Sequence, residues 1–297
     1  MKLIDIGAHG LLALLWLVHA LPLGLQAGIG SGAGRVMHAL ARSRRHIARR
    51  NVELCLPLMP EARRHALVRE HFRWLGRSLL ERPLLWYASA ERLRRLIHVE
   101  GDVQLAQTSD RPVMWLVPHF MGLDVAGMAT QLFQTRQVGS IYQPQSNAVI
   151  DAAVRRGRLR FGQGGIFPRG DTALPLVRAV RRGWAFFNLP DMDFGIRDAA
   201  FVPFFGVPAA TLLAPSKMAR ALNMLVQPVV AEILPGGQGY RVRFLPAWTD
   251  WPSADALTDA KRMNEWIESE IRANPAQYLW VHKRFKTRPP GEPSLYE

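Results

Sequence analysis

The chain has 297 residues, of which 48% are hydrophobic, and it carries a formal net charge of +14 with a pI near 11.0. This length fits one large domain or one domain with a membrane element, and the charge indicates an anionic partner: nucleic acid, an anionic bilayer, or an acidic protein or substrate. The one cysteine, Cys55, excludes an intrachain disulfide and a multi-cysteine metal site, which fits a reducing compartment.

The N-terminal stretch is strongly apolar from Leu11 to Leu25, and its extension to Ile6 and Ile29 reaches the roughly 20 residues that a bilayer span requires. Only the following flank is rich in arginine, and the positive-inside rule keeps such a flank cytoplasmic: Arg35, Arg42, Arg44, Arg45, Arg49 and Arg50. We predict an uncleaved anchor over residues 1–30, either a transmembrane or an interfacial helix. A cleaved signal peptide and a buried core helix are the alternatives.

Residues 31–97 have a helical pattern with breaks at Pro57, Pro60 and Pro83. Apolar residues recur at spacings of three and four, and arginines occupy much of the other face. Such a helix suits an anionic membrane surface, so we interpret this part as membrane-proximal. Basic residues interleaved with stacking aromatics in a known module are missing, which argues against nucleic acid as the partner.

Residues 98–297 alternate between strand-like and helical patterns and predict an α/β catalytic core with a mixed central sheet flanked by helices. The predicted strands are 113–117, 138–142, 184–189, 225–234 and 240–246. The predicted helices begin at 122 and cover 148–159, 172–182, 214–222 and 259–273. Residues 162–165 are glycine-rich and are predicted to be a flexible loop, and Phe201 to Phe205 fit a core strand or the wall of an acyl pocket.

His119 follows the predicted strand 113–117 and Pro118, and Asp124 comes five positions later. His65 and Glu70 have the same spacing but lie within a continuous helical pattern, where five steps of about 100° leave the side chains roughly 140° apart. His119 precedes its helix, so Asp124 in the first turn can fold back to the imidazole. We therefore predict a general-base pair in which Asp124 orients His119.

Several segments carry a resemblance to a known family. The His119–Asp124 stretch resembles the HX4D/E motif of the glycerolipid-type acyltransferases. Residues 142–147, 157–160, 189–195, 201–211 and 279–289 resemble further blocks of the late acyltransferases of lipid A biosynthesis, the lauroyl/myristoyl transferases. The resemblance covers essentially the whole chain. It departs at two positions: Gln143 stands where many relatives have Arg, and the acid of the motif is Asp124 where Glu is common.

The resemblance implies transfer of an acyl chain from acyl-acyl carrier protein to a hydroxyl on a Kdo-bearing lipid A precursor, at the cytoplasmic face of the inner membrane. His119 would be the base, and Arg158 would supply an oxyanion contact or hold a lipid phosphate. A thioester is already activated, so neither a covalent acyl-enzyme nor a metal or other cofactor is required. Further candidate substrate-binding residues are Gln143, Asp191, Asp193 and Arg284.

Asp191 and Asp193 fit a pocket floor or contacts to polar backbone better than a cation site, because two acids without other ligands bind metal weakly. The C-terminal segment forms a predicted basic edge for the acidic carrier protein or the anionic lipid: His282, Lys283, Arg284, Lys286 and Arg288. Two alternatives stay open: an acyltransferase for another acceptor, such as a lysophospholipid or an aminoacyl lipid, and a non-catalytic basic protein that binds membranes.

Overall fold

The computed structural model describes residues 3–162, 164–170 and 173–297, with the backbone alone at positions 3 and 4. The N-terminal apolar stretch forms two helices, α1 (Leu3–His19) and α2 (Leu23–Leu40), with Pro22 at the start of the second. The predicted continuous helix is therefore wrong, because proline lacks the N–H that would continue the first one. No helix in the described ranges is long and apolar enough to cross a bilayer.

The basic helical part consists of α3 (Arg42–Cys55), α4 (Glu61–Tyr87) and α5 (Ala90–Leu96), as the periodicity predicts. The predicted break at Pro83 is wrong, because α4 continues through that residue. Helices α2 and α4 touch backbone to backbone, since a Cβ at Gly34 would lie 2.1 Å from the Phe72 carbonyl oxygen. The arginines of α4 are not all solvated: Arg77 is buried and donates to Glu81 at 2.6 Å. His65, on the same helix, faces Glu61 at 3.8 Å.

The described part of the chain forms a seven-stranded sheet and a separate antiparallel pair. The strands are β1 (Ile97–Gly101), β2 (Val113–Leu116), β3 (Val138–Tyr142), β4 (Gly165–Pro168), β5 (Ala185–Asn188), β6 (Ala199–Phe204), β7 (Val207–Leu212), β8 (Leu225–Ile233) and β9 (Tyr240–Phe244). The order in the large sheet is β1-β9-β8-β2-β5-β3-β4, and every neighbouring pair is parallel except β8 with β9. This confirms the predicted mixed sheet; β1 and β4 were not predicted.

Helices cover both faces of the sheet: α6 (Leu105–Thr108), α7 (Leu123–Leu132), α8 (Ala148–Arg158), α9 (Leu174–Arg181), α10 (Ala214–Ala221) and α11 (Ala256–Ala273). The predicted start of α9 at Thr172 lies outside the described residues, as does Gln163 of the predicted glycine-rich loop. Alternate residues of β2 enter opposite cores: Met114 packs with α9 to α11, and Trp115 with α7. Phe204 of β6 is fully buried with the first group, so the core interpretation of residues 201–205 holds.

Candidate active site

His119 and Asp191 leave the sheet side by side. Strands β2 and β5 are parallel neighbours with Leu116 opposite Asn188. Three residues follow each strand. The second is a proline, Pro118 or Pro190, and the third is His119 or Asp191. The carboxyl ends of parallel strands form one edge of a sheet, so the two side chains meet there although 72 positions separate them.

The imidazole of His119 is held by Asp191. Its Nδ1 lies 2.6 Å from Asp191 Oδ1, and the His119 backbone N–H donates to Oδ2 at 2.9 Å. Burial alone would raise the pKa of Asp191, but the charge of His119 and these hydrogen bonds outweigh it and lower that pKa. Burial and the neighbouring Asp191 raise the pKa of Tyr278 well above its usual value, so Tyr278 remains a neutral phenol. An ionised Asp191 requires a proton on Nδ1, which leaves Nε2 as the nitrogen that accepts one.

Asp124 has different partners from those predicted. Its Oδ2 lies 2.9 Å from Arg82 Nε, and its Oδ1 accepts from Arg158 Nη2 at 2.9 Å. Burial would raise the pKa of Asp124, but the two guanidinium charges lower it to about 2. The prediction that Asp124 orients His119 is therefore wrong: Asp191 orients the imidazole. Arg82 was missed, because nothing in the sequence distinguishes it from the other arginines of α4.

A glycine fixes where Asp124 stands. Gly122 precedes α7, and a Cβ there would lie 2.6 Å from the carbonyl of Ala231 in β8. Only glycine permits this approach of the helix start to the sheet. Asp124 then occupies the first turn of α7, where a carboxylate is favoured by the helix dipole.

A cavity of about 390 Å³ opens beside Asp124 and Arg158. Its volume lies within the usual range for small-molecule sites. Most of its wall is apolar or glycine, including Leu123, Met128, Ile141, Phe161, Phe187 and Leu189. A second, smaller cavity has His119 and Asp191 in its wall. The candidate base thus lies outside the lining of the apolar cavity, five positions before Asp124, which belongs to that lining.

Asp193 and His282 connect the site to the C-terminal segment. Asp193 accepts from the backbone N–H of Thr287 at 2.6 Å and from its hydroxyl at 2.7 Å. The Asp193 backbone N–H donates to His282 Nε2 at 3.1 Å, and burial lowers the pKa of His282 to about 4. Both residues therefore contact backbone, which for Asp193 is the second of its two predicted roles, contact with polar backbone. No group of three or more His, Cys, Asp or Glu among the described residues is arranged for a metal ion.

The other predicted binding residues are dispersed. Arg284 is buried and donates to Ala210 O at 2.8 Å and Thr211 Oγ1 at 3.0 Å, so its predicted place in an exposed basic edge is wrong. Gln143 is exposed and is not among the residues that line the cavity. Lys283 and Lys286 are exposed as predicted.

Comparison with known proteins decides the family. A family model described as bacterial lipid A biosynthesis acyltransferase matches residues 3–287. The chain belongs to this family. It is 34% identical over 288 residues to the lipid A biosynthesis palmitoleoyltransferase of Escherichia coli (strain K12), covering 96% of this chain and 92% of that protein. The lauroyltransferase of the same strain is 34% identical over 96% of this chain and 93% of its own.

The myristoyltransferase of that strain is 31% identical over 91% of this chain and 83% of its own length. The family membership confirms the resemblance seen in the sequence and makes this chain an acyltransferase of lipid A biosynthesis. The three relatives are named for three different acyl chains at nearly equal identity. Overall similarity therefore does not choose the acyl chain, and the cavity itself must be considered.

Proposed function

We propose that this enzyme transfers a fatty acyl chain from acyl-acyl carrier protein to a hydroxyl of a Kdo-lipid A precursor, with His119 as the general base. One observation carries the assignment: Asp191 occupies Nδ1 of His119, which leaves Nε2 to accept a proton beside an apolar cavity. The names of the relatives support the acceptor class and an acyl donor.

The proposed reaction begins when His119 Nε2 takes the proton of the acceptor hydroxyl. The hydroxyl oxygen then attacks the thioester carbonyl carbon, and the carbonyl electrons move to oxygen to form a tetrahedral oxyanion. Collapse of this intermediate breaks the C–S bond, and the imidazolium returns the proton to the departing thiolate. Asp191 holds the Nδ1 proton and stabilises the imidazolium throughout.

Arg82, Arg158 and Asp124 would supply the charge at the mouth of the cavity. Two guanidinium groups and one carboxylate sum to one positive charge, which is complementary to the oxyanion or to a phosphate of the acceptor. No acyl-enzyme is invoked. Cys55 is buried, and burial raises the pKa of its thiol far above the usual value.

The N-terminal helices would bring the enzyme to the membrane by interfacial contact. On α1 the side chains of Leu14, Trp16 and Leu17 are 57%, 54% and 59% exposed. Near the end of α2, the exposed Leu40 stands close in sequence to the exposed Arg42. Apolar side chains beside arginines are the combination that inserts into the boundary of an anionic bilayer. The membrane that these helices would contact is the inner membrane, at its cytoplasmic face. The carrier protein and the precursor are both accessible there.

The activity is tested with labelled acyl-acyl carrier protein and three acceptors in separate reactions: a Kdo-lipid A precursor, a lysophospholipid and an aminoacyl lipid. We expect transfer to the first, and a fall of about 10²–10⁴-fold in His119→Ala, because a positioned base contributes that much. His65→Ala is the matched control, since that histidine has the same spacing to an acid but faces Glu61. Undiminished transfer by His119→Ala would overturn the mechanism, and transfer to another acceptor alone would overturn the substrate.

The membrane contact is tested by sedimentation with vesicles that contain anionic phospholipid. The double variant Leu14→Ser/Leu17→Ser should lose most of its binding, because it removes two exposed apolar side chains from α1. Leu257→Ser changes an exposed leucine on α11 and should bind as wild type does. Equal binding by all three proteins would contradict the assignment.

A further inference from the structure

The far end of the apolar cavity shares its wall with a second, open groove. That groove has a volume of about 350 Å³, and Thr135 and Arg136 line both spaces. We propose that these two residues form a partition that fixes the longest acyl chain the enzyme accepts. The inference rests on the acyl-transfer function above. It adds the residues of the enzyme that determine its specificity for acyl-chain length.

The cavity has two ends because it follows helix α7. Asp124, Gly127 and Gln131 line it at spacings of three and four, which places them on one face of the helix. The helix rises about 10 Å between Asp124 and Gln131 at 1.5 Å per residue. One end is therefore at the arginine pair of Asp124. The other end lies beyond Gln131, where Gln134, Thr135 and Arg136 complete the lining.

The partition is made of side chains tied to the α6 region. Arg136 donates through Nε to Ala106 O at 2.7 Å and through Nη2 to Ser109 O at 2.8 Å. Thr135 donates through its backbone N–H to Gln107 Oε1 at 2.9 Å. A hydrocarbon chain that reached these groups would have to displace them or bury polar atoms without partners, which is costly. The polar end thus stops the chain, and truncation of Arg136 would join the cavity to the groove.

Gly127 offers the opposite change. It lines the cavity midway along α7, and a Cβ built on it meets no atom within 4 Å. A larger side chain there would enter the lumen without displacing backbone or core atoms. The same cavity can therefore be lengthened at one residue and shortened at another.

The test offers wild type and variants an equimolar mixture of acyl-acyl carrier proteins whose saturated chains increase by two carbons, and measures the products by mass spectrometry. A methylene group that gains or loses its place in an apolar pocket changes selectivity about tenfold or more. We expect Arg136→Ala to raise the ratio of long to short products by at least about that factor, and Gly127→Leu to lower it similarly. Arg182→Ala is the control, because Arg182 lines the groove but not the cavity.

Arg136→Ala also removes two hydrogen bonds, to Ala106 in α6 and to Ser109, whereas Gly127→Leu removes none from a side chain. The second variant therefore keeps the test valid if the first does not fold. An unchanged product profile in folded Arg136→Ala would overturn the partition. An unchanged profile in Gly127→Leu would overturn it too, because the acyl chain would then not lie in this cavity. An equal shift in Arg182→Ala would overturn it too, since the groove would then act by itself. If wild type transfers no chain of any length, the proposed function fails, which is a distinguishable result.

Discussion

Two carboxylates of the site line different cavities and have different kinds of partner: Asp124 lines the apolar cavity, and Asp191 lines the small cavity with His119. Asp191 pairs with His119, whose other ring nitrogen can accept a proton. Asp124 pairs with Arg82 and Arg158, whose guanidinium groups donate hydrogen bonds and cannot accept them. The first can move a proton, and the second can only hold a fixed field. The role of each carboxylate is thus set by its partner rather than by its distance along the sequence from the histidine.

Asp191→Asn should have the largest effect. An asparagine amide can donate to Nδ1 and so place the ring proton on Nε2, where it blocks the base. We expect kcat for acyl transfer to fall by about 10²–10⁴-fold with a much smaller change in KM, because the base contributes to the chemical step. Steady-state kinetics at saturating acceptor measures this.

The double variant His119→Ala/Asp191→Asn provides the check. Residues that act as one unit are not additive, so the double variant should be no slower than His119→Ala alone. If the rate losses of the two single variants multiplied in the double variant, Asp191 would act independently of His119. The contrast between the two carboxylates would then be wrong.

The sequence identified His119 but not its partner. The spacing to Asp124 suggested a local pair, whereas the real pair forms across the sheet because β2 and β5 are parallel neighbours. A signal was present in both segments, since His119 and Asp191 each follow an apolar run and a proline. The order of the strands in the sheet decides whether two such segments meet, and the local sequence of neither segment predicts that β2 pairs with β5.

The fold class was predictable because buried parallel strands have continuous apolar runs, as β2 does. Strand β4 was not, since its residues are only half-buried and follow a glycine-rich stretch. The cavity wall also escaped prediction. Gly127 and Arg136 have ordinary local patterns, and their importance comes from the empty space between α7 and the sheet.

Two buried histidines should make the free energy of unfolding fall as the pH is lowered. Burial lowers the pKa of His282 to about 4 and that of His71 to about 4. These two side chains bind protons less readily in the folded state than in the unfolded chain. Their contribution to stability is therefore fully present above about pH 6.5 and is lost as the pH falls towards 4. For His282 the loss is about 3 kcal/mol at 1.36 kcal/mol per pKa unit. Chemical denaturation at a series of pH values measures it.

The variant His282→Gln distinguishes the contribution of His282 to this pH dependence from that of His71. The glutamine carbonyl can accept the Asp193 N–H that His282 Nε2 accepts, but it does not titrate. The slope of stability against pH between 6.5 and 4 should therefore fall, while the contribution of His71 stays. An unchanged slope would mean that His282 is readily protonated in the folded protein.

Asp124→Asn should have the smallest effect on the reaction and the most informative one. The carboxylate keeps Arg158 in one orientation, so its loss should lower kcat by roughly tenfold, equivalent to about 1.4 kcal/mol. The pH profile of kcat should keep its limb for the base, because Asp191 still holds His119. The depressed pKa of Asp124, about 2, also stabilises the fold at neutral pH. A variant that lost the limb itself would show that Asp124 governs the histidine after all, and the two carboxylates would then form one system.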